Sequence, residues 1–196
     1  MYRETGCTVG RLGTLLNLAL AMAIQGDLMR ARALYEEALA LARELRLTRG
    51  VAGALAGLGG VALDRGEPDE AEARLRESLL LSRQQWDVRG LRGCLEGLAS
   101  VAGLRRYPTR AARLYGASEA LGAAHGLAVD PDVLVGWERH RAAASCARAA
   151  AAWTAAWTEG HTMSTEDAVA YALVAEDVPE EGRPGAAVSG APALQP

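Results

Sequence analysis

With 196 residues, half of them hydrophobic, and a formal net charge of −3, the chain can bury one elongated core and carries no general electrostatic drive toward nucleic acid or anionic lipid. All 21 basic residues are Arg, so a phosphate loop of the Lys-dependent kind is excluded. The absence of Phe, with Ile24 and Asn17 each the single residue of its type, reads as the coding bias of a GC-rich, bacterial genome.

Residues Met1 to Val9 do not read as a beginning. Arg3-Glu4 stands forty residues before Arg43-Glu44, near the end of a later helix, so the chain opens on what reads as the last turn of a preceding hairpin, with further domains expected upstream. The first full helix is expected over about Gly10 to Gln25, where Leu12, Leu15, Leu16, Leu18, Leu20, Met22 and Ile24 follow Arg11 with no further charge. Such a helix calls for cover on more than one side. Ala21-Met22-Ala23 mimics a signal-peptidase site, but the run is accounted for by the repeat described below and is too short to span a membrane. A second helix follows from about Leu28 to Arg46, capped by Asp27, with Ala31, Leu34, Tyr35, Ala38, Leu39, Leu41 and Ala42 on one stripe and Arg30, Arg32, Glu36, Glu37, Arg43 and Glu44 on the wet side.

The plan then recurs. Sliding the sequence by forty superposes Gly10, Gly50 and Gly90; Leu15, Leu55 and Leu95; Leu18, Leu58 and Leu98; and Ala31, Ala71 and Ala111. The intervening turns recur as Gly26-Asp27, Gly66-Glu67-Pro68 and Arg106-Tyr107-Pro108. A helical unit with a period of this size cannot bury its apolar face alone and must stack on its neighbours. The expected fold is therefore all-α, an α-solenoid of helical hairpins. In the second repeat Gly53, Gly57, Gly59 and Gly60 each cost ~1 kcal/mol relative to Ala within a helix, which implies close helix packing rather than a nucleotide loop. Pro68 and Pro108 fit the first turn of a helix, where the missing N–H has no intrahelical acceptor.

The sequence divides into a partial hairpin 1–9, repeats 10–49, 50–89 and 90–126, capping helices over 127–175 and a disordered tail over 176–196. In the cap, Asp130-Pro131-Asp132 starts a helix that runs into an Ala-rich segment, Trp153 and Trp157 share one face, and Gly160 reads as a helix stop. Ser164 with Asp167 approximates a capping box for a last helix, Thr165 to about Ala175.

The succession Ala19, Gly26-Asp27, Ala31, Tyr35 and Ala38, echoed by Gly59, Gly66, Ala71, Leu75 and Ser78 and by Ala99, Arg106, Ala111, Tyr115 and Ser118, resembles the tetratricopeptide repeat (TPR). The period is longer than that family's usual one and the closing proline is absent. After Arg110 the chain is similar to the C-terminal end of bacterial LuxR- and SARP-type transcriptional regulators and related predicted ATPases. The residues that carry this likeness are Arg110 to Leu121, Trp153 to Gly160 and Met163 to Leu173. Where that family has a Leu-Gly turn before the first aromatic, this chain has Arg148-Ala149. The resemblance implies an array that senses a ligand or partner protein and restrains an upstream ATPase. It also implies that the first helix of each hairpin lines a concave groove. By the family's facing positions the lining is Leu16, Leu20 and Ala23, then Ala56, Gly60, Leu63 and Asp64, then Glu96, Ser100 and Gly103. This lining is mostly small and apolar and lacks the Lys, Arg and Asn set that clamps a peptide carboxylate, so an apolar helix or strand of a protein partner is the expected ligand.

No catalytic constellation is present in the sequence. His125, His140 and His161 are scattered without H-E-x-x-H spacing, and Glu36-Glu37 and Glu180-Glu181 have no acid–base partner. Cys7, Cys94 and Cys146 are far apart, which fits reduced thiols of a cytoplasmic protein and neither a metal nor a redox site. Arg105, Arg106, Arg110 and Arg113 form a basic cluster suited either to phosphate or to a solvated turn. The expected function is a regulatory protein-interaction module without enzymatic activity, cofactor, metal, direct nucleic-acid contact or membrane span. It is expected to be part of a larger ATPase or transcriptional regulator, with a free-standing adaptor as the alternative. An enzyme with a pocket around Trp153 and Trp157 is the remaining reading.

Overall fold

Three-residue corners organise the molecule. The computed structural model of the protein describes residues 2–127 and 150–174, with side chains from residue 8 onward. It contains α1 (Tyr2–Ile24), α2 (Leu28–Glu44), α3 (Thr48–Asp64), α4 (Pro68–Gln84), α5 (Val88–Leu104), α6 (Pro108–Ala124), α7 (Ala150–His161) and α8 (Thr165–Leu173), with no strand among the described residues. From α2 to α6 every helix has 17 residues. The residue in the left-handed region therefore recurs every twenty positions, at Gly26, Arg46, Gly66, Trp86, Arg106 and Gly126.

Each corner is the same hydrogen-bonded motif. The amide of the left-handed residue donates to the carbonyl three back, as in Arg46 to Arg43, and the next amide donates to the carbonyl five back, as in Leu47 to Ala42. The latter bond recurs as Asp27 to Met22, Glu67 to Ala62, Asp87 to Ser82, Tyr107 to Ala102 and Leu127 to Gly122, at 2.8–3.0 Å. This is the Schellman closure, which satisfies carbonyls that a helix end leaves open. The residue that closes one helix also caps the next: the Asp27 and Asp87 side chains accept from the amides of Arg30 and Gly90. Pro68 and Pro108 occupy the first helical position, as their sequence context predicts.

Three helix starts differ from the sequence expectation. The helices α3 and α5 start at Thr48 and Val88, before Gly50 and Gly90, because Leu47 and Asp87 are the caps. The first helix runs unbroken from Tyr2 to Ile24, with no turn at Val9, since nothing between them forces the chain out of helical geometry.

Consecutive helices pack in antiparallel pairs. The first helices of successive hairpins also touch, α1 with α3 and α3 with α5, whereas no comparable contact joins α2 to α4 or α4 to α6 among the described residues. A stack whose first helices are crowded and whose second helices are splayed must bend with α1, α3 and α5 on its inner side. This is an all-α solenoid. Its core runs in two adjoining clusters, one centred on Leu12, Leu15, Leu39, Leu55 and Leu58 and the other on Leu75, Leu79, Leu91, Leu95 and Leu114.

Glycines set the closest approaches. A Cβ on Gly57 would lie 2.2 Å from the Tyr35 ring, and one on Gly59 would lie 2.7 Å from Leu75 Cγ. Gly60, by contrast, has open space beside it, and Gly53 meets only Leu16 at 3.8 Å. Close packing thus explains Gly57 and Gly59, and also Gly50, where a Cβ would lie 2.7 Å from Leu12 Cδ2, and it leaves Gly53 and Gly60 on the inner surface. Gly160 does not stop α7, which continues to His161. A Cβ there would lie 1.9 Å from the Arg113 carbonyl, and one on Gly116 would lie 2.1 Å from the Trp157 carbonyl, so α6 and α7 cross with their backbones in contact. The Asp130-Pro131-Asp132 start, Arg148-Ala149, His140, Cys146 and the tail after Val174 lie outside the described residues.

Candidate protein-binding groove

The inner side presents equivalent faces of α1, α3 and α5. Leu16 is half-buried and Leu20 is 37% exposed; Ala23, Ala56 and Gly60 are half-buried, and Asp64 is exposed. These residues form a shallow apolar strip that deepens where glycine replaces a side chain. Two residues of the predicted lining sit deeper. Leu63 is 3% exposed and belongs to the core, and Ser100 is 1% exposed.

The third hairpin closes the strip with a polar network that sequence reading missed. Arg92 Nε donates to Glu96 Oε1 at 3.1 Å, and Ser118 Oγ donates to the same oxygen at 2.8 Å. Ser100 Oγ donates to the Glu96 carbonyl at 3.0 Å, leaving the Tyr115 hydroxyl to donate to Ser100 at 2.8 Å. The guanidinium fits because Gly122 has no side chain, a Cβ there being 3.1 Å away. The spacing of Arg92, Glu96 and Ser100, four apart on one helix, is the signal that was available in the sequence. With its Oε1 twice bonded, Glu96 offers a neutralised, mostly covered carboxylate at the end of the apolar strip.

The other chemically active residues are absorbed into the structure. The Cys94 thiol is buried beside Ser78 Oγ at 3.2 Å, and burial pushes it up to about 12, which suppresses the thiolate. His125 Nδ1 lies 3.0 Å from the Leu121 carbonyl, and His161 stacks on Trp157 with ring centres 4.6 Å apart. Trp153 and Trp157 pack against the core, Trp153 lying 6.4 Å from Tyr115. In the basic cluster, Arg105 pairs with Asp69 at 2.6 Å and Glu72 at 2.7 Å, and Arg113 pairs with Glu159 at 2.7 Å. Arg110 donates to the carbonyls of Ala172 and Val174, and Arg106 occupies a left-handed corner. No group of three metal-ligating side chains occurs among the described residues, and none of the described helices is long and apolar enough to cross a membrane.

Equal hairpins, a small residue opposite Tyr35, Leu75 and Tyr115, and crowded first helices are the geometry of one repeat type, and the family comparison agrees: residues 11–84 match the tetratricopeptide repeat model. They form a TPR region. No curated protein and no solved structure matches the chain. TPR arrays generally mediate protein–protein interaction, and the third hairpin continues the same corners and helix length beyond the matched segment.

Proposed function

We infer that the inner face of this TPR array binds an apolar helix or strand of a protein partner, and that the module is the regulatory end of a bacterial ATPase or transcriptional regulator, acting in the cytoplasm without catalysis of its own. The observation that carries the groove is the strip from Leu16 and Leu20 to Ala56 and Gly60, where apolar and small side chains face outward with open space beside Gly60. Unpartnered apolar surface that is lined up, rather than scattered, marks an interaction site. Leu20, Gly60, Asp64 and Glu96 define its length, while Leu63 and Ser100 support it from beneath. The regulator context rests on the similarity of Arg110 to Leu121, Trp153 to Gly160 and Met163 to Leu173 to the C-terminal ends of such proteins.

Replacing Leu20 by Glu places a charge on the strip without entering the core. The variant is expected to keep cooperative unfolding and to lose co-purification of the partner. A control on α2, Met29→Glu, is expected to keep both, because Met29 is 68% exposed and outside the strip. Retention of the partner by Leu20→Glu would show that the groove is elsewhere. The larger context is tested by the mass of the native protein in its own cells, detected with an antibody against the array. A band well above 20.6 kDa supports the multidomain regulator, and a band at that mass makes the chain a free-standing adaptor.

A further inference from the structure

The outer side of the array carries a second groove, and it is filled. Because α4 and α6 lack the close contact that each makes with α5, a furrow runs between them with α5 as its floor, and α8 lies in it, touching all three. The occupant's register is set by arginines. Arg76 donates to the Leu173 carbonyl, and Arg110 donates to those of Ala172 and Val174, at 3.2 and 2.9 Å. These are carbonyls at the open C-terminal end of α8, where the helix dipole favours cations. At the other end of the helix Arg83 pairs with Glu166 at 2.6 Å, and the Arg110 guanidinium lies over the Tyr171 ring at 4.9 Å. The groove therefore reads three features of a helix: open carbonyls at its end, an acid in its first turn, and a small apolar face made of Ala168, Val169 and Ala172.

The grip of this site is of a releasable kind. With nine residues, α8 is too short to hold helical form alone; it buries Ala168, Val169 and Ala172 and packs Tyr171 and Leu173 half-buried against the core. Its polar ties are ionic or cationic and partly exposed, as with Arg83 and Glu166 at 46% and 54%, so salt screens them. The neighbouring α7 is held differently, by direct backbone contact at Gly116 and Gly160. Release of α8 thus leaves the backbone contact between α6 and α7 intact and opens the furrow, with Arg76 and Arg110 on its walls, to another helix end.

We propose that the furrow between α4 and α6 is a second helix-binding site, that α8 occupies it as an intramolecular competitor, and that its external ligand is a short partner helix with an acidic first turn, an Ala/Val face and an unblocked C-terminal turn. This site is separate from the inner groove and does not depend on it.

The test uses the full chain and a fluorescent synthetic peptide with the sequence of residues 163–175. Val169→Glu puts a carboxylate where 1% of the residue is exposed and ejects α8 from the furrow. The peptide is expected to bind Val169→Glu at least tenfold more tightly than the wild-type chain, with affinity that falls as salt is raised. Adding Arg76→Gln and Arg110→Gln to that variant is expected to return binding to the wild-type level, while adding Leu20→Glu is not. Equal binding by Val169→Glu and wild type, or undiminished binding without the two arginines, overturns the proposal. Should Val169→Glu fail to unfold cooperatively, Glu166→Arg, which reverses an exposed pair and touches no core, is expected to tighten peptide binding by about two- to fivefold, a gain that Arg76→Gln with Arg110→Gln removes; no gain, or a gain that survives without the two arginines, overturns the proposal.

Discussion

Arg46, Trp86 and Arg106 hold φ values of 54°, 48° and 64°, a region that costs an L-residue roughly 1–2 kcal/mol and a glycine almost nothing. The same corner is occupied by glycine at positions 26, 66 and 126, so the backbone gives direct instructions for stabilising the chain. Arg46→Gly and Trp86→Gly are each expected to raise stability by about 1 kcal/mol, and Gly66→Ala to lower it by a similar amount, read from urea midpoints. Burial pushes the Tyr35 phenol up to about 12. An acid whose folded value is raised keeps its full contribution below the ordinary value near 10 and loses it as pH climbs from there through the folded value. Ultraviolet titration is expected to find Tyr35 ionising about two units late, a step that Tyr35→Phe removes. Asp87 moves the other way. The Arg49 guanidinium at 2.9 Å, with the Gly90 amide, holds its carboxyl below the usual range, so its contribution is present at neutral pH and disappears as acid protonates the folded form. Asp87→Asn is expected to flatten the acid limb of the stability profile.

At the scale of the helix, glycine has two opposite meanings within one turn of α3. Gly57 and Gly59 are seats for Tyr35 and Leu75, and Ala in either place forces the neighbour to move, at a cost of about 1–3 kcal/mol. Gly60 faces open space, so Gly60→Ala is expected to stabilise by nearly 1 kcal/mol through helix propensity. Melting temperatures of the three variants separate the two roles. This distinction marks where the sequence stopped being readable. Apolar spacing and the forty-residue recurrence of Leu15, Leu55 and Leu95 are local and periodic, and they yield the helices, the hairpins and the stacking. Which glycine is a seat depends on a side chain twenty residues away, which no local pattern encodes. Gly160 is the instructive case, since a glycine near a helix end has the same local appearance whether it turns the chain or admits another backbone. The lining proposed for the inner face comes from family facing positions, and the depth of Leu63 and Ser100 could not be read from them, because burial there is decided by the neighbouring hairpin. The corners also hid their true spacing: Arg46 and Trp86 do not look like Gly26 and Gly66, and only the backbone equates them.

For the molecule as a whole, the two ends of the array are finished differently. Leu18 is 45% exposed, whereas its equivalents Leu58 and Leu98 are 4% exposed, the difference being the hairpin that covers them. The rest of that end face is polar, with Arg11 and Thr14 standing where the inner repeats have Val51 and Ala54 or Leu91 and Cys94, and Arg11 pairs with Glu37. The first helix nevertheless leaves Val9, Leu18, Leu20 and Ile24 37–51% exposed. It still has fewer neighbours: α1 touches α2 and α3, while α5 is enclosed by α3, α4, α6 and α8. In a stack stabilised by nearest neighbours this makes α1 the first to open, and its amides are expected to exchange with deuterium well before those of α5. Equal protection of the two helices would mean that the array unfolds as one block. The uniform corner has one more consequence. Since each helix from α2 to α6 and its turn consume the same twenty residues, these helices have a parity: α3 and α5 face inward and α2, α4 and α6 outward. Splicing out residues 48–87 removes one full cycle and rejoins Leu47 to Val88, so every later helix keeps its side. Splicing out residues 68–87 instead would hand each later helix the opposite side, turning Leu91 and Leu95 toward solvent positions and Arg110 toward the interior.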